Sequence, residues 1–308
     1  MFFYGTKKRY NQYSEHLKQK FGVKVYKVTI DAGFSCPNRE NNKGGCIFCD
    51  ESGSFSQAHS NLLSVEEQLQ TGIKTLSERF KAKKFMSYFQ AYTNTYKPVD
   101  ELEKIYFSAL NHPDVVGISI GTRPDCVDDD KLKLIADISK DYYTWIEYGL
   151  QTAKNSTLEI INRGHDFECF LRAYEKTKNY GINTCVHVIL GLPGENHDDM
   201  LKTAYELAKL EVDGVKIHML CVLQDTKLAK MYNDGKVTLL SEQDYISTVV
   251  DFLEILSPKT TIHRLAGNGL KKELIEPRWI GKKLDTLNKI DREFESRNSF
   301  QGIKFTLT

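Results

Sequence analysis

The chain has 308 residues, of which 41% are hydrophobic and 27% charged, and its net charge is +1. That length buries a large core, either as one barrel-type domain or as two smaller ones, and the charge fraction is ordinary for a soluble protein. No run of eighteen apolar residues is present, which excludes a membrane-spanning helix, and residues 1–10 lack the apolar stretch of a secretory signal, so the expected location is cytoplasmic.

Residues 1–30 carry Lys7, Lys8, Arg9, Lys18, Lys20, Lys24 and Lys27 against Glu15, a charge of +6. Residues 271–308 carry +3, which leaves −8 for the middle of the chain. A basic flank on an acidic body suits an anionic partner such as RNA, although lysine-rich termini are more often simply solvated. From residue 25 onward, strand-like and helix-like patterns alternate. Strands are predicted at 25–30, 84–90, 115–121, 143–150, 183–190 and 214–220. Helices are predicted at 65–79, 99–111, 128–140, 167–180 and 198–210. Ser64 and Glu67 form a capping box before the first of these helices, and Gly181 terminates the one at 167–180. Each unit is long enough for a crossover between parallel strands, so a doubly wound sheet and a partial barrel both fit the pattern. Beyond 221 the rhythm changes. A helix is expected at 240–256, a short strand at 261–265, a charged amphipathic helix at 277–297 and an edge strand at 303–307. The expected organisation is a basic N-terminal segment (1–24), a core (25–221) and a C-terminal α/β extension packed on it (222–308).

Seven cysteines in a chain of this kind read as thiols, ligands or catalysts rather than as disulfides. Three crowd into one loop directly after the first strand, Cys36-Pro-Asn-Arg-Glu-Asn-Asn-Lys-Gly-Gly-Cys46-Ile-Phe-Cys49. Three thiolates in a glycine-rich loop suit three corners of a [4Fe-4S] cluster, with the fourth iron open to the amino and carboxylate groups of S-adenosylmethionine (SAM). A zinc site completed by His59 suits the same spacing. The loop's position at a strand mouth favours the cluster. Cys126, Cys169, Cys185 and Cys221 form no second motif and read as buried thiols. Cys221 directly follows the sixth strand, where a catalytic role is the alternative.

The chain resembles the YtqA/YhcC group of radical SAM proteins, relatives of the catalytic subunit of Elongator and, more distantly, of the oxygen-independent coproporphyrinogen oxidase. The resemblance rests on Asp31-Ala-Gly-Phe-Ser-Cys-Pro-Asn-Arg39, on the nine-residue gap between the first two cysteines, and on Tyr88-Phe-Gln-Ala-Tyr-Thr-Asn-Thr-Tyr96. It continues through Gly121-Thr-Arg-Pro-Asp125, Glu147-Tyr-Gly-Leu-Gln-Thr152, Asn162-Arg-Gly-His165 and Gly191-Leu-Pro-Gly-Glu195. It implies a partial (β/α)6 TIM-type barrel. It also implies SAM contacts from Gln90, Tyr92, Thr93 and Asn94 after the second strand, from Gln151 and Arg163, and from the turn at Gly191. Arg163 suits a carboxylate because its donors form a rigid fork. Gly121 stands where relatives carry a ribose-binding Glu, a contact that Glu147 would replace. His187 either faces SAM or is a satisfied core histidine, and His218 has the same two readings.

The Elongator-like resemblance implies modification of the side chain of a transfer RNA wobble uridine, with flavodoxin or ferredoxin as electron donor. Nothing after the barrel resembles the Elongator acetyltransferase, which implies a reaction that differs or stops earlier. Cations and rings near the N-terminus (Phe2, Phe3, Tyr4, Lys7, Lys8, Arg9, Tyr10, Tyr13) and the basic Arg278, Lys282, Lys283 and Lys289 are the candidate RNA contacts. The alternatives are a radical SAM enzyme acting on a small metabolite and a non-catalytic, zinc-stabilised RNA-binding protein.

Overall fold

Runs of β-branched and aromatic residues separated by helical segments build one curled parallel sheet. A computed structural model describes residues 3, 5–40, 43–50, 63–267 and 273–306. The strands are β1 (Val25–Ile30), β2 (Lys84–Phe89), β3 (Val115–Thr122), β4 (Tyr143–Gln151), β5 (Asn183–Leu190) and β6 (Gly214–Met219). A two-residue strand β7 (Val222–Leu223) and then β8 (Thr261–Arg264) follow. The sheet order is β1-β2-β3-β4-β5-β6-β8 with every pairing parallel. The barrel is therefore a half-barrel of seven strands, not six. The short segment expected in the extension pairs with β6 and completes the wall.

The helices are α1 (Tyr13–Phe21), α2 (Val65–Phe80), α3 (Val99–Ser108), α4 (Asp129–Ile138), α5 (Asn155–Ile160), α6 (Phe167–Asn179), α7 (His197–Lys209), α8 (Lys227–Asn233), α9 (Glu242–Ile255) and α10 (Lys283–Ser296). The Ser64/Glu67 capping box closes as expected, satisfying two backbone donors of α2. Gly181 takes φ +70° after α6, the left-handed conformation a helix stop requires. The helices' apolar faces meet the outer face of the sheet in one core containing Phe89, Tyr106, Ile135, Tyr148, Phe170, Leu207 and Phe252.

Two expectations fail at the C-terminal end. Residues 301–304 form a turn and no strand forms over the described part of 303–307. Gly302, at φ +83° against Pro258 and Leu256, breaks the extended run there. The segment 277–297 is a 3-10 turn (Arg278–Gly281) followed by α10, with Lys282 non-helical at φ −102° and ψ 54° between them. Strand β9 (Leu274–Glu276) pairs antiparallel with β7, and short hairpins of this kind leave little trace in a pattern.

Helix α1 closes the end of the barrel where the strands begin. Its Tyr13 stacks on His263 at 3.7 Å between ring centroids and meets the Trp145 edge at 5.3 Å, and Leu17 packs with Val25, Met86 and Cys185. With that end filled by side chains, the strand C-termini form the remaining mouth, where barrels of this kind place their sites. Among the described residues no helix is long and apolar enough to cross a membrane.

Candidate active site

A cavity of about 490 Å³ opens at this mouth, lined by Cys36, Cys46 and Cys49 together with residues from the ends of every strand from β1 to β6 and from β8. The cysteine loop is tied across the barrel. The Ile47 N–H donates to Ile161 O at 3.1 Å, and Leu228 N–H donates to Ile47 O at 2.9 Å. Ile47 packs with Leu158, Ile161, Ile189, Leu192 and Leu228 in a small apolar cluster of its own. Apolar residues within the motif thus seat the loop, and the thiols are left facing the cavity.

The surroundings of the thiols suit an iron–sulfur cluster. Arg163 Nη1 donates to Cys46 Sγ at 3.4 Å, and Asn38 Nδ2 approaches the same sulfur at 3.6 Å. Hydrogen bonds to sulfur of this kind orient ligands and tune a cluster's potential. Arg39 spans the loop, donating to Cys49 O at 3.0 Å and also to Asp50 O. Burial pushes the Cys49 thiol up to about 11, against the opposing pull of Arg39, so a metal must displace a proton there. All the cysteines are unpaired. His59, the fourth ligand of the zinc alternative, lies outside the described residues.

Gln90, Tyr92, Thr93, Gln151, Arg163, Glu147 and His187 line the same cavity. The Thr93 hydroxyl is buried on its wall with no partner, as expected of a group reserved for a ligand. Gln151 sits at φ +83° just after a register shift in β4, a backbone conformation rare for a residue with a side chain. Arg163 is buried, with Nε donating to Gly149 O at 3.0 Å. Asn94 and Gly191 are not among the lining residues. The Asn94 amide donates to Gly121 O at 2.7 Å, and Gly191 turns at φ +83° against Leu240.

In the wall of the cavity lies a polar network that the sequence reading did not foresee. Glu147 is fully buried. Its Oε1 accepts from Lys27 at 2.7 Å and from Ser119, and its Oε2 accepts from Lys216 at 3.0 Å and His187 at 2.7 Å. Both oxygens are thereby committed to protein partners. Burial alone would raise this carboxyl, but Lys216 and Lys27, then His187, hold it well below the usual carboxylate range. Burial and Lys216 push His187 down to about 4, so its ring is neutral and donates Nε2–H to the carboxylate. His218 is also neutral, because burial and Arg264 depress it, and its Nε2 is buried without a partner.

The candidate RNA contacts divide. Lys7, Lys282 and Lys283 are exposed. Lys8 pairs with Asp291 of α10, and Arg9 donates to Ser299 O at 3.1 Å. Lys289 bridges Glu242 and Asp285. The described aromatic residues expected to stack on bases are core residues instead. Phe3, Tyr10 and Tyr13 are all buried, with Tyr10 stacked on Phe294. Phe2 and Tyr4 lie outside the described residues.

Comparison with known proteins agrees with this geometry. The family model for the radical SAM superfamily matches residues 35–207, and the model for the radical SAM C-terminal domain matches 212–296. The chain is 42% identical to YtqA of Bacillus subtilis over 299 residues, covering 96% of this chain and 93% of YtqA. It is 35% identical to YhcC of Escherichia coli, covering 95% and 94% of the two chains. A tRNA uridine(34) acetyltransferase of Methanocaldococcus jannaschii is 27% identical over 164 residues, 52% of this chain and 29% of the acetyltransferase. The solved structure of Methanocaldococcus infernus Elp3 superposes with a TM-score of 0.69 at 17% identity, over 90% of this chain and 64% of that one. This last likeness is one of fold.

Proposed function

The chain belongs to the radical SAM superfamily, and on that footing we propose that it reductively cleaves SAM at a [4Fe-4S] cluster held by Cys36, Cys46 and Cys49, and that it modifies the side chain of a wobble uridine in transfer RNA. The observation that carries the first part is the convergence of three thiols, the partnerless Thr93 hydroxyl, Gln151 and Arg163 on one cavity at the strand C-termini. With cluster and SAM bound, one electron from a donor such as flavodoxin or ferredoxin would break the sulfonium C–S bond and supply a 5′-deoxyadenosyl radical for hydrogen abstraction.

The chain's own residues provide the rest. Arg163 offers its guanidinium at the point where Cys46 meets the cavity and would take the carboxylate of SAM, and Thr93 and Gln151 would offer polar contacts. Phe48 lines the cavity between the last two cysteines, where its ring would shield a cluster from water. The transfer RNA part rests on the relatives named as tRNA uridine(34) acetyltransferases. It is supported by exposed Lys282 and Lys283 beside Ile280, which lines the cavity.

Two measurements test the proposal. Protein purified without oxygen should be brown, contain iron and release 5′-deoxyadenosine from SAM on reduction, and Cys46→Ala should abolish both the iron and the product. Colourless, zinc-containing protein would refute the radical reading. Nucleoside profiling of transfer RNA from a deletion strain should show an altered wobble uridine, and an unchanged profile would turn the substrate assignment toward a small metabolite.

A further inference from the structure

The cavity has a part that the cysteines and the SAM contacts leave unused, namely the wall built by β6, β8 and the segments that follow them. Three basic residues stand in one lateral row across adjacent strands, with His187 in register with Lys216 and Lys216 in register with Arg264. All three line the cavity. Glu147 engages His187 and Lys216, as well as Lys27 from β1. One carboxylate therefore faces two ammonium groups, and the next cation in the row, Arg264, has no carboxylate within ion-pair distance among the described residues. Its Nε donates to Ala266 O at 3.0 Å, which leaves the two terminal nitrogens of its fork without a hydrogen-bond partner among the described residues. The stretch 268–272 that follows reads Asn-Gly-Leu-Lys-Lys and contains no acid. Two residues beyond Lys216 on the same strand, His218 lines the cavity with a buried Nε2 that has no partner.

A half-buried guanidinium and a buried imidazole nitrogen without a partner, beside an ammonium in excess over its counter-charge, are costly to leave without a polar ligand. A planar fork beside a point charge is the arrangement that recognises carboxylate or phosphate oxygens. We propose that Arg264, His218 and Lys216 form a substrate-anion subsite, and that the molecule on which the radical acts carries a carboxylate or phosphate that docks there. This rests on the radical SAM reading in one respect, that SAM occupies the cysteine side and leaves this wall to the substrate. Arg264 acts as the specificity determinant: it holds the substrate's anionic group, and the rest of that molecule extends toward the thiols.

The test uses the reconstituted holoprotein loaded with SAM, so that the SAM carboxylate already fills its own contacts. [13C]acetate and inorganic phosphate are titrated separately and followed by ligand line broadening in 13C and 31P spectra. Wild-type protein should bind one of them saturably, and whichever it binds identifies the source of the charge. Arg264→Gln should weaken that binding at least tenfold, and Arg264→Lys should recover part of it. His218→Phe, which removes the ring nitrogens and keeps an aromatic ring, should weaken binding by a smaller factor. Arg264→Gln should keep the wild-type iron content and circular-dichroism spectrum, which shows that the barrel and cluster are intact. No saturable binding in the wild type, or undiminished binding in Arg264→Gln, overturns the subsite. Wild-type protein that binds the anion through Arg264 but yields no 5′-deoxyadenosine overturns the radical reading and leaves the subsite standing.

Discussion

Replacing Glu147 by Gln keeps the size of the side chain and removes what is, among the described residues, the only carboxylate in the network of the cavity wall. In the native protein this group faces two ammoniums, Lys27 at 2.7 Å and Lys216 at 3.0 Å. Lys216 is nearly inaccessible, with 9% side-chain exposure, whereas Lys27 keeps 25% and is partly screened by water. Breaking a buried pair by deleting one partner costs about 3–5 kcal/mol, because the remaining charge stays desolvated. Most of that cost falls on Lys216, so about 3 kcal/mol is expected, a large share of the roughly 5–15 kcal/mol that holds a typical protein folded.

Lys216→Met is expected to cost less, about 1 kcal/mol, since Glu147 then keeps Lys27 and the charges balance one to one. In the double variant the loss should be smaller than the sum of the two, because no desolvated ammonium is left behind. The pH dependence follows from the depressed carboxyl. Its contribution is complete above the ordinary carboxylate value of 4.5 and fades as pH falls through its lower folded value. The gap between wild type and Glu147→Gln in urea-unfolding midpoints should therefore narrow as pH falls below 4.5. A Glu147→Gln loss under 1 kcal/mol at pH 7, or a larger loss for Lys216→Met, would refute the charge-balance argument.

Gly149→Ala should act on binding rather than on folding. The added methyl would lie 2.7 Å from Arg163 Nη2 and 2.8 Å from Gln151 Nε2, displacing both flexible side-chain ends. SAM affinity by equilibrium dialysis is expected to fall about tenfold, or about 1.4 kcal/mol, with little change in melting temperature; unchanged affinity would remove these two residues from the SAM contacts. Glu195 is pushed up to about 6 by burial, against the opposing hydrogen bond from Thr152. Its contribution to stability is present below 4.5 and lost as pH rises through 6, so Glu195→Gln should stabilise the protein at pH 8, by up to about 1–2 kcal/mol in urea unfolding for this partly exposed group, and leave stability unchanged at pH 4. Gly117→Ala would place a methyl 2.1 Å from the Tyr143 carbonyl oxygen on the neighbouring strand. Backbone cannot yield as a side chain does, and a loss of about 3 kcal/mol or failure to fold is expected in chemical unfolding.

Much of this protein was legible in its sequence. Alternating strand and helix patterns placed the first six strands within a residue or so of their observed bounds, because parallel strands covered on both faces read as apolar runs. The Ser64 cap and the Gly181 stop were local chemistry and formed as expected. Spacing placed the three cysteines on one loop at a strand mouth. Family membership is carried by motifs that are contiguous in the chain, and the comparisons agree with it.

The tertiary structure decided whatever depends on neighbours distant in sequence. Thr261–Arg264 is too short to announce its sheet, and only pairing with β6 makes it the seventh strand. That pairing brings Arg264 beside Lys216 and His187. Tyr10 and Tyr13 look like solvent-facing rings beside lysines, yet Tyr13 fills the open end of the half-barrel against His263 and Tyr10 packs on Phe294 of α10. The charged residues inside apolar strands, Lys27, Glu147 and Lys216, did leave a signal, since a buried strand tolerates such a residue only if a partner faces it. Which residue faces which was set by the curl of the sheet, which brings the midpoints of β1, β4 and β6 together around one carboxylate.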